Sequence, residues 1–222
     1  MIDQLIIGNK KSFDDFEANV KERTISKPKK KSIRETVPFS NVVYDFSAIN
    51  GEIYWEERDL EYVLEIMADT PEQLEQKKSA LATWLMNVAE EVLEDPFIKD
   101  YHFISTFSDI SEDDEDNVEK TTVTVKFKAY PYMIANNAKI FSVSLVANTE
   151  KEMVITNESS HRITPSIEAD MKVTLKKNDV NYGIPAGVTT DDSFKLESGV
   201  NVLTLLASEA GNVTFTFFEE VF

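Results

Sequence analysis

Carboxylates are the only reactive groups this chain holds in quantity. Of its 222 residues 40 are Asp or Glu, two are His (His102 and His161), and none is Cys. Two adjacent acid pairs stand out, Glu56-Glu57 ahead of Arg58 and Asp191-Asp192 inside a turn-like TTDDS. Glycoside hydrolysis needs two carboxylates converging on one substrate, one of them kept protonated by an apolar pocket. Neighbours on an exposed loop do neither, so neither pair is read as catalytic. The acidic run Glu112-Asp113-Asp114-Glu115-Asp116 lacks the central Gly and the closing Glu of an EF-hand loop. No Ser sits beside a His in a nucleophile elbow, and the six glycines never cluster into a phosphate cradle. The absence of Cys removes disulfides, thiolate metal sites and thiol nucleophiles. The reading is a protein that is not an enzyme and uses no cofactor and no metal.

Charge narrows the classes further. Against the 40 acids stand 23 Lys and Arg, a formal charge of −17. Stable nucleic-acid binding needs a basic face that displaces counterions from phosphates, so it is not expected. A 42% hydrophobic composition with 14 Phe and 7 Tyr can bury a real core. No apolar run is long enough to span a membrane. At the N-terminus Asp3 stands where a signal peptide carries a cation. Synthesis in a cytoplasm, with no membrane partner, is the expectation.

The elements that must position any site follow from periodicity. Thr70 as N-cap, Pro71 in the first turn and Gln73 completing a capping box predict a helix over 71–94, stopped by Pro96. Its apolar stripe is Leu74, Leu81, Leu85, Val88 and Val92. Nearly everything else alternates with period two. Leu60, Tyr62, Leu64 and Ile66 share one face, as do Val123, Val125, Phe127 and Ala129. Beyond Asn137 no helical stripe occurs, and 139–146, 152–157, 168–176, 200–206 and 212–221 read as strands. Turns are marked by Pro165, Asn178-Asp179 and Gly199. The fold class is mainly β in two domains. Residues 1–136 form a β-sandwich or barrel with one packed helix, and 137–222 form a small β-sandwich.

The charge is unevenly placed. Residues 21–34 carry Lys21, Arg23, Lys27, Lys29, Lys30, Lys31 and Arg34 against one Glu22, with Pro28 among them. The run 109–119 is nearly all acid. Complementary potentials of this kind fix register between subunits. Lys27, Pro28, Lys29, Lys30, Lys31 and Arg34 are therefore read as an interface, with Asp113, Asp114 and Asp116 as its complement on a neighbour. Tyr54 and Trp55 beside the INGEIYW turn fit interface or core anchors better than a sugar platform. Asn50-Gly51 in that turn is a hairpin signal.

In their order these segments resemble the distal tail protein (Dit) family of long-tailed bacteriophages. The likeness in 25–66 rests on Pro28 with Lys29 to Lys31, Val37-Pro38, Asp45, Tyr54 and Arg58. It continues through the helix, Tyr101, the acidic loop and Pro131-Tyr132. It closes on Leu196, Gly199 and Asn201 of a Leu-x-x-Gly-x-Asn pattern. The family often has glycines after the apolar-Pro pair, whereas Phe39 and Asn41 stand here, so the loop tip is expected to differ.

The resemblance implies a virion structural protein of the tail tip or baseplate, in a ring that is usually hexameric. The ring joins the tail tube protein to the hub protein with its associated lysin, lets DNA pass, and can carry a receptor-binding protein. An extended β-hairpin arm over about 20–60 would clasp the neighbouring copy, and Arg58 would belong to its interface. The alternative is a carbohydrate-binding or adhesin module in the second domain, for which Tyr182 and Phe194 are the available aromatics.

Overall fold

Alternation along two long strands dictates the first sheet. The computed structural model describes residues 3–48, 51–112 and 119–222. It divides into two compact units, 1–133 with Phe222, and 134–221. The first unit opens with β1 (Ile6–Ile7), β2 (Lys10–Lys11), α1 (Ser12–Phe16) and β3 (Ala18–Ile25). Next come β4 (Arg34–Thr36), β5 (Val43–Asp45), β6 (Arg58–Met67) and α2 (Pro71–Met86). It ends with β7 (Glu91–Glu94), β8 (Tyr101–Glu112) and β9 (Lys120–Ala129).

One antiparallel sheet runs β2-β1-β7-β8-β9-β6-β3, where the sequence pattern alone allowed a sandwich or a barrel. Leu60, Tyr62 and Leu64 of β6 lie opposite Phe127, Val125 and Val123 of β9, and all six are buried. Each such side chain contributes about 1.5–3 kcal/mol of transfer free energy. α2 covers this face with Leu74, Leu81, Trp84 and Leu85.

The helix begins as the sequence predicts and ends earlier. Thr70 Oγ1 accepts from the Gln73 N–H at 3.3 Å, with Pro71 in the first turn. The expected run to residue 94 is wrong beyond Met86. Asn87 donates its N–H to Trp84 O and its side-chain amide to Thr83 O at 2.6 Å, occupying carbonyls the helix would have used. Val92 and Leu93 are then captured by β8, Leu93 lying opposite Phe103. Spacing at 88 and 92 fits a helical stripe, but two waiting sheet neighbours, β1 and β8, decide the matter. The short α1 escapes periodicity altogether. It is fixed by Ser12, whose buried hydroxyl accepts from the Leu5 N–H at 3.0 Å.

The second unit contains β10 (Met133–Ala135), β11 (Lys139–Leu145), β12 (Lys151–Asn157), β13 (Ser166–Ala169) and β14 (Val173–Lys177). It continues with β15 (Val180–Ile184), β16 (Gly187–Thr190), β17 (Gly199–Ala207), β18 (Gly211–Phe217) and β19 (Glu220–Val221). Two four-stranded sheets, β11-β18-β13-β16 and β12-β17-β14-β15, share a core around Ile155, Leu203, Leu205, Phe194 and Phe215. The single strand expected over 168–176 is two strands in different sheets. Asp170 makes the corner, its carboxylate accepting from the Asn212 N–H at 2.8 Å. Asn178 and Asp179 both take positive φ in the β14–β15 turn, as their residue types predict.

The Leu-x-x-Gly-x-Asn pattern has a physical basis. Leu196 is fully buried, Gly199 sits at φ 93°, and the Asn201 side chain closes the loop between them. Its Oδ1 accepts from the Glu197 N–H and its amide donates to Glu197 O, both at 2.8 Å. Asn201→Ala strips three hydrogen bonds made by this buried side chain and is expected to lower stability by about 2 kcal/mol, read from urea unfolding. A midpoint equal to wild type would show that water replaces the clamp.

Candidate assembly interface

The arm grows out of the sheet edge strand by strand. β3 pairs with β6 from Ala18↔Ile66 to Ile25↔Leu60, with a bulge between Val20 and Glu22 that turns the strand. Ser26 continues the ladder: its N–H donates to Asp59 O at 3.0 Å and its hydroxyl accepts from the Asp59 N–H at 2.8 Å. The ribbon then runs on as Lys29 O accepting from the Glu56 N–H, the Lys30–Trp55 bridge, and the Lys31 N–H donating to Tyr54 O. Further out, Ile33 N–H donates to Ser47 Oγ at 2.9 Å and Phe46 N–H to Ile33 O at 2.8 Å. β4 and β5 form the far end, Arg34 facing Asp45 at 3.3 Å. The Ser47 hydroxyl and N–H, and then the Arg34 charge, hold the Asp45 carboxyl below its usual range.

The turn of this hairpin lies at 37–42, and at the Asn50-Gly51 signal Gly51 takes φ 74° with its N–H donating to Ala48 O at 2.9 Å. Asn50 lies outside the described residues. Ser40 N–H donates to Val37 O at 3.1 Å, and Ser40 Oγ accepts from the Val42 N–H at 3.1 Å. Phe39 occupies the left-handed region at φ 65° with its side chain fully exposed. Phe39 thus holds a backbone shape that suits glycine, although an aromatic residue does not readily adopt it.

Nine of the 22 exposed large hydrophobic side chains among the described residues fall between Ile33 and Tyr54. They lie on both faces of the ribbon, so none is covered by the unit that bears it. An exposed apolar surface of this density is the kind that marks an interaction site. Sequence reasoning found the cations of the arm and missed this apolar tip. The signal was present in VVYDF (42–46), where apolar residues occupy both parities of the strand and no single buried face accounts for them.

The structure brings most of the predicted residues together. Lys27, Lys29, Lys30 and Lys31 are exposed and have no ion-pair partner among the described residues. Pro28 is buried at the root, and Tyr54 is exposed alongside the lysines. Trp55 turns inward, edge-on to Phe222 at 4.8 Å.

Arg58 is not a surface residue. It is 1% exposed, its Nε donates to Ser26 O at 3.0 Å, and its guanidinium lies 5.5 Å from the Phe103 ring. Burial pulls its pKa below the usual guanidinium value. It anchors the root of the arm instead of presenting charge. Asp113, Asp114 and Asp116 lie outside the described residues. Beside them Asp109 faces Lys126 at 4.0 Å, and Glu112 pairs with Lys78.

The remaining candidates do not form a catalytic or sugar site. Asp191 accepts from the Ser193 N–H at 2.9 Å, and hydrogen bonds from Ser193 keep its carboxyl below the usual range, the reverse of a general acid. Phe194 is 1% exposed and meets Tyr182 edge-on at 5.1 Å, so both aromatics proposed for saccharide belong to core packing.

No family model matches the chain, and no curated protein matches it in sequence. Among solved structures it is similar to SPP1 Dit, described as a paradigm of the hub adsorption apparatus in Gram-positive infecting phages. The identity is 14%, the TM-score 0.70, and the match covers 98% of this chain and 99% of that one. A chain of the phage P2 baseplate in its activated conformation with Ca aligns over 97% and 98% at 8% identity and a TM-score of 0.40, too distant to bear on the fold. Over nearly its whole length, then, this chain has a Dit-like fold.

Proposed function

We propose that the protein is a structural component of a phage tail tip, assembling through its arm into a ring that links the tail tube to the hub and lets DNA pass. The observation that carries this reading is the arm itself: an apolar and basic hairpin, uncovered in its own protomer, on a Dit-like fold. A projecting strand pair that docks on a different surface of the next copy makes a head-to-tail contact, and such contacts close into a ring when the rotation allows. Hexameric closure is the order the resemblance implies.

The formal −17 per chain suits such a conduit. Acid facing a lumen repels phosphate and keeps DNA from adhering, while the four free lysines of the arm are left for contacts between subunits. Tail tube protein above, hub protein below and a receptor-binding protein on the rim are the partners of this reading.

Negative-stain imaging and light scattering of the purified protein test it. Rings with a central hole are expected in low salt, with weaker association as salt screens the arm. A monomer at high-micromolar concentration in low salt, unchanged by adding tail tube and hub proteins, would overturn it.

A further inference from the structure

We propose that the groove beside α2 is the seat for the arm of the neighbouring copy. This rests on the ring reading above and names the surface that the arm meets. The groove is open, about 910 Å³, and lies wholly in the first unit between the β1–β2 turn, α1, α2 and residues 87–91. Three independent features fit it to the arm.

Position is the first. The arm leaves the sheet where β3 ends and β6 begins, whereas the groove flanks β1, whose lead-in meets the start of β3 through the Val20 N–H and Asp3 O. A donor and an acceptor on two different surfaces of one protomer are what a head-to-tail contact requires, since each copy then gives an arm and receives one.

Surface chemistry is the second. The groove has an aromatic floor, Phe16 stacked on Trp84 at 4.6 Å and 7°, with Lys10 5.5 Å from the Phe16 ring. The arm carries the fully exposed Phe39 and the half-exposed pair Tyr44 and Phe46, stacked on each other at 6.3 Å. Aromatic side chains settling in such a concavity are the usual anchors of an interface.

Charge is the third. Glu91 lines the groove and Glu90 precedes it. Glu72 begins the α2 stripe on which Glu75 and Gln76 lie. Glu72, Glu90 and Glu91 are exposed and have no ion-pair partner among the described residues, whereas the α2 cations are engaged, Lys77 with Glu17 and Lys78 with Glu75 and Glu112. Glu91 in the lining, with Glu90 next to it in the sequence and Glu72 one helical turn before Glu75, outnumbers the one lining cation without an ion pair among the described residues, Lys10, and answers the need of Lys27, Lys29, Lys30 and Lys31. Complementary potentials fix which surfaces meet.

A charge swap tests the seat. In the full chain, Glu90→Lys with Glu91→Lys is expected to raise the concentration needed for assembly at least tenfold, with an unchanged thermal melt. Adding Lys29→Glu, Lys30→Glu and Lys31→Glu, which alone also block assembly, is expected to restore it. If the glutamate variant assembles as wild type while the lysine variant does not, the seat is wrong and the arm reading stands. Rescue of the lysine variant by Asp113→Lys, Asp114→Lys and Asp116→Lys instead would move the seat to the acidic loop. If the lysine variant assembles normally, the arm reading fails as well.

The chain has no Cys, which gives a second readout should any swap disturb folding. Lys30→Cys with Glu91→Cys, treated with a short bismaleimide, is expected to yield a ladder of covalent oligomers that neither single variant gives. Monomer only, from a sample shown to be assembled, would overturn the proposal.

Discussion

Replacing residues 33–46 by a two-residue Asn-Gly turn is expected to abolish assembly and leave the protomer folded. The excised segment contributes no residue to either buried core. Its hydrogen bonds close on one another or on Ser47, so the ribbon below it, from Ser26 to Lys31, keeps its own ladder. Assembly is another matter. Burying a large apolar side chain contributes about 1.5–3 kcal/mol, and association must first overcome about 4–15 kcal/mol of lost freedom. Several arm side chains acting together exceed that barrier, and outside the arm the exposed large hydrophobics among the described residues of the first unit are the scattered Met67, Met86, Phe97 and Tyr130. Light scattering and a thermal melt on the same sample read both halves. Persistent rings, or a protomer that no longer folds, would show that the arm is misassigned.

The largest expected loss of stability is at Asp95. Its side chain is fully shielded; Oδ1 lies 2.5 Å from Arg23 Nη1 and accepts the Phe97 N–H at 2.8 Å. Oδ2 accepts the hydroxyl of buried Tyr62 at 3.0 Å. Asp95→Ala leaves Tyr62 and Arg23 without their acceptor and is expected to lower stability by about 3–5 kcal/mol in urea unfolding. Asp95→Asn keeps the shape and one acceptor and should fall between. A loss under about 1 kcal/mol for Ala would mean that the network contributes geometry alone.

The same network sets an alkaline limit. Burial first, and then the Asp95 carboxylate, push the Tyr62 phenol far above its ordinary pKa of 10.0. The unfolded chain therefore releases this proton above pH 10.0 while the folded chain keeps it, so stability falls as pH rises, by up to about 1.4 kcal/mol per unit. Tyr62→Phe should remove that part of the slope, measurable as unfolding midpoints across alkaline pH.

Where one physical preference governs, the sequence alone locates the structure well. The alternation of Leu60 to Ile66 and of Val123 to Ala129 has no competing solution, and both strands appear as read. Thr70 and Pro71 start α2 because capping is local. Its end is not local: Asn87 and the two strands flanking β7 decide it, and a stripe through Val88 and Val92 cannot report them. Charge along 27–34 pointed to the arm because lysine runs are visible in composition. Its apolar tip escaped notice because exposed Val42, Val43 and Tyr44 look in sequence like any buried strand. Arg58 was misplaced for the converse reason, since a cation beside acids gives no sign that it will be folded under Ser26.

Phe39 sets the welfare of the single chain against that of the assembly. An L-residue in the left-handed region costs about 1–2 kcal/mol, a penalty that glycine would not bear. Selecting variants for a hardier protomer would therefore drift position 39 toward glycine and discard the aromatic ring that the proposed interface uses. If the arm docks as proposed, heat tolerance of the isolated protein is a poor guide to the performance of the assembled particle.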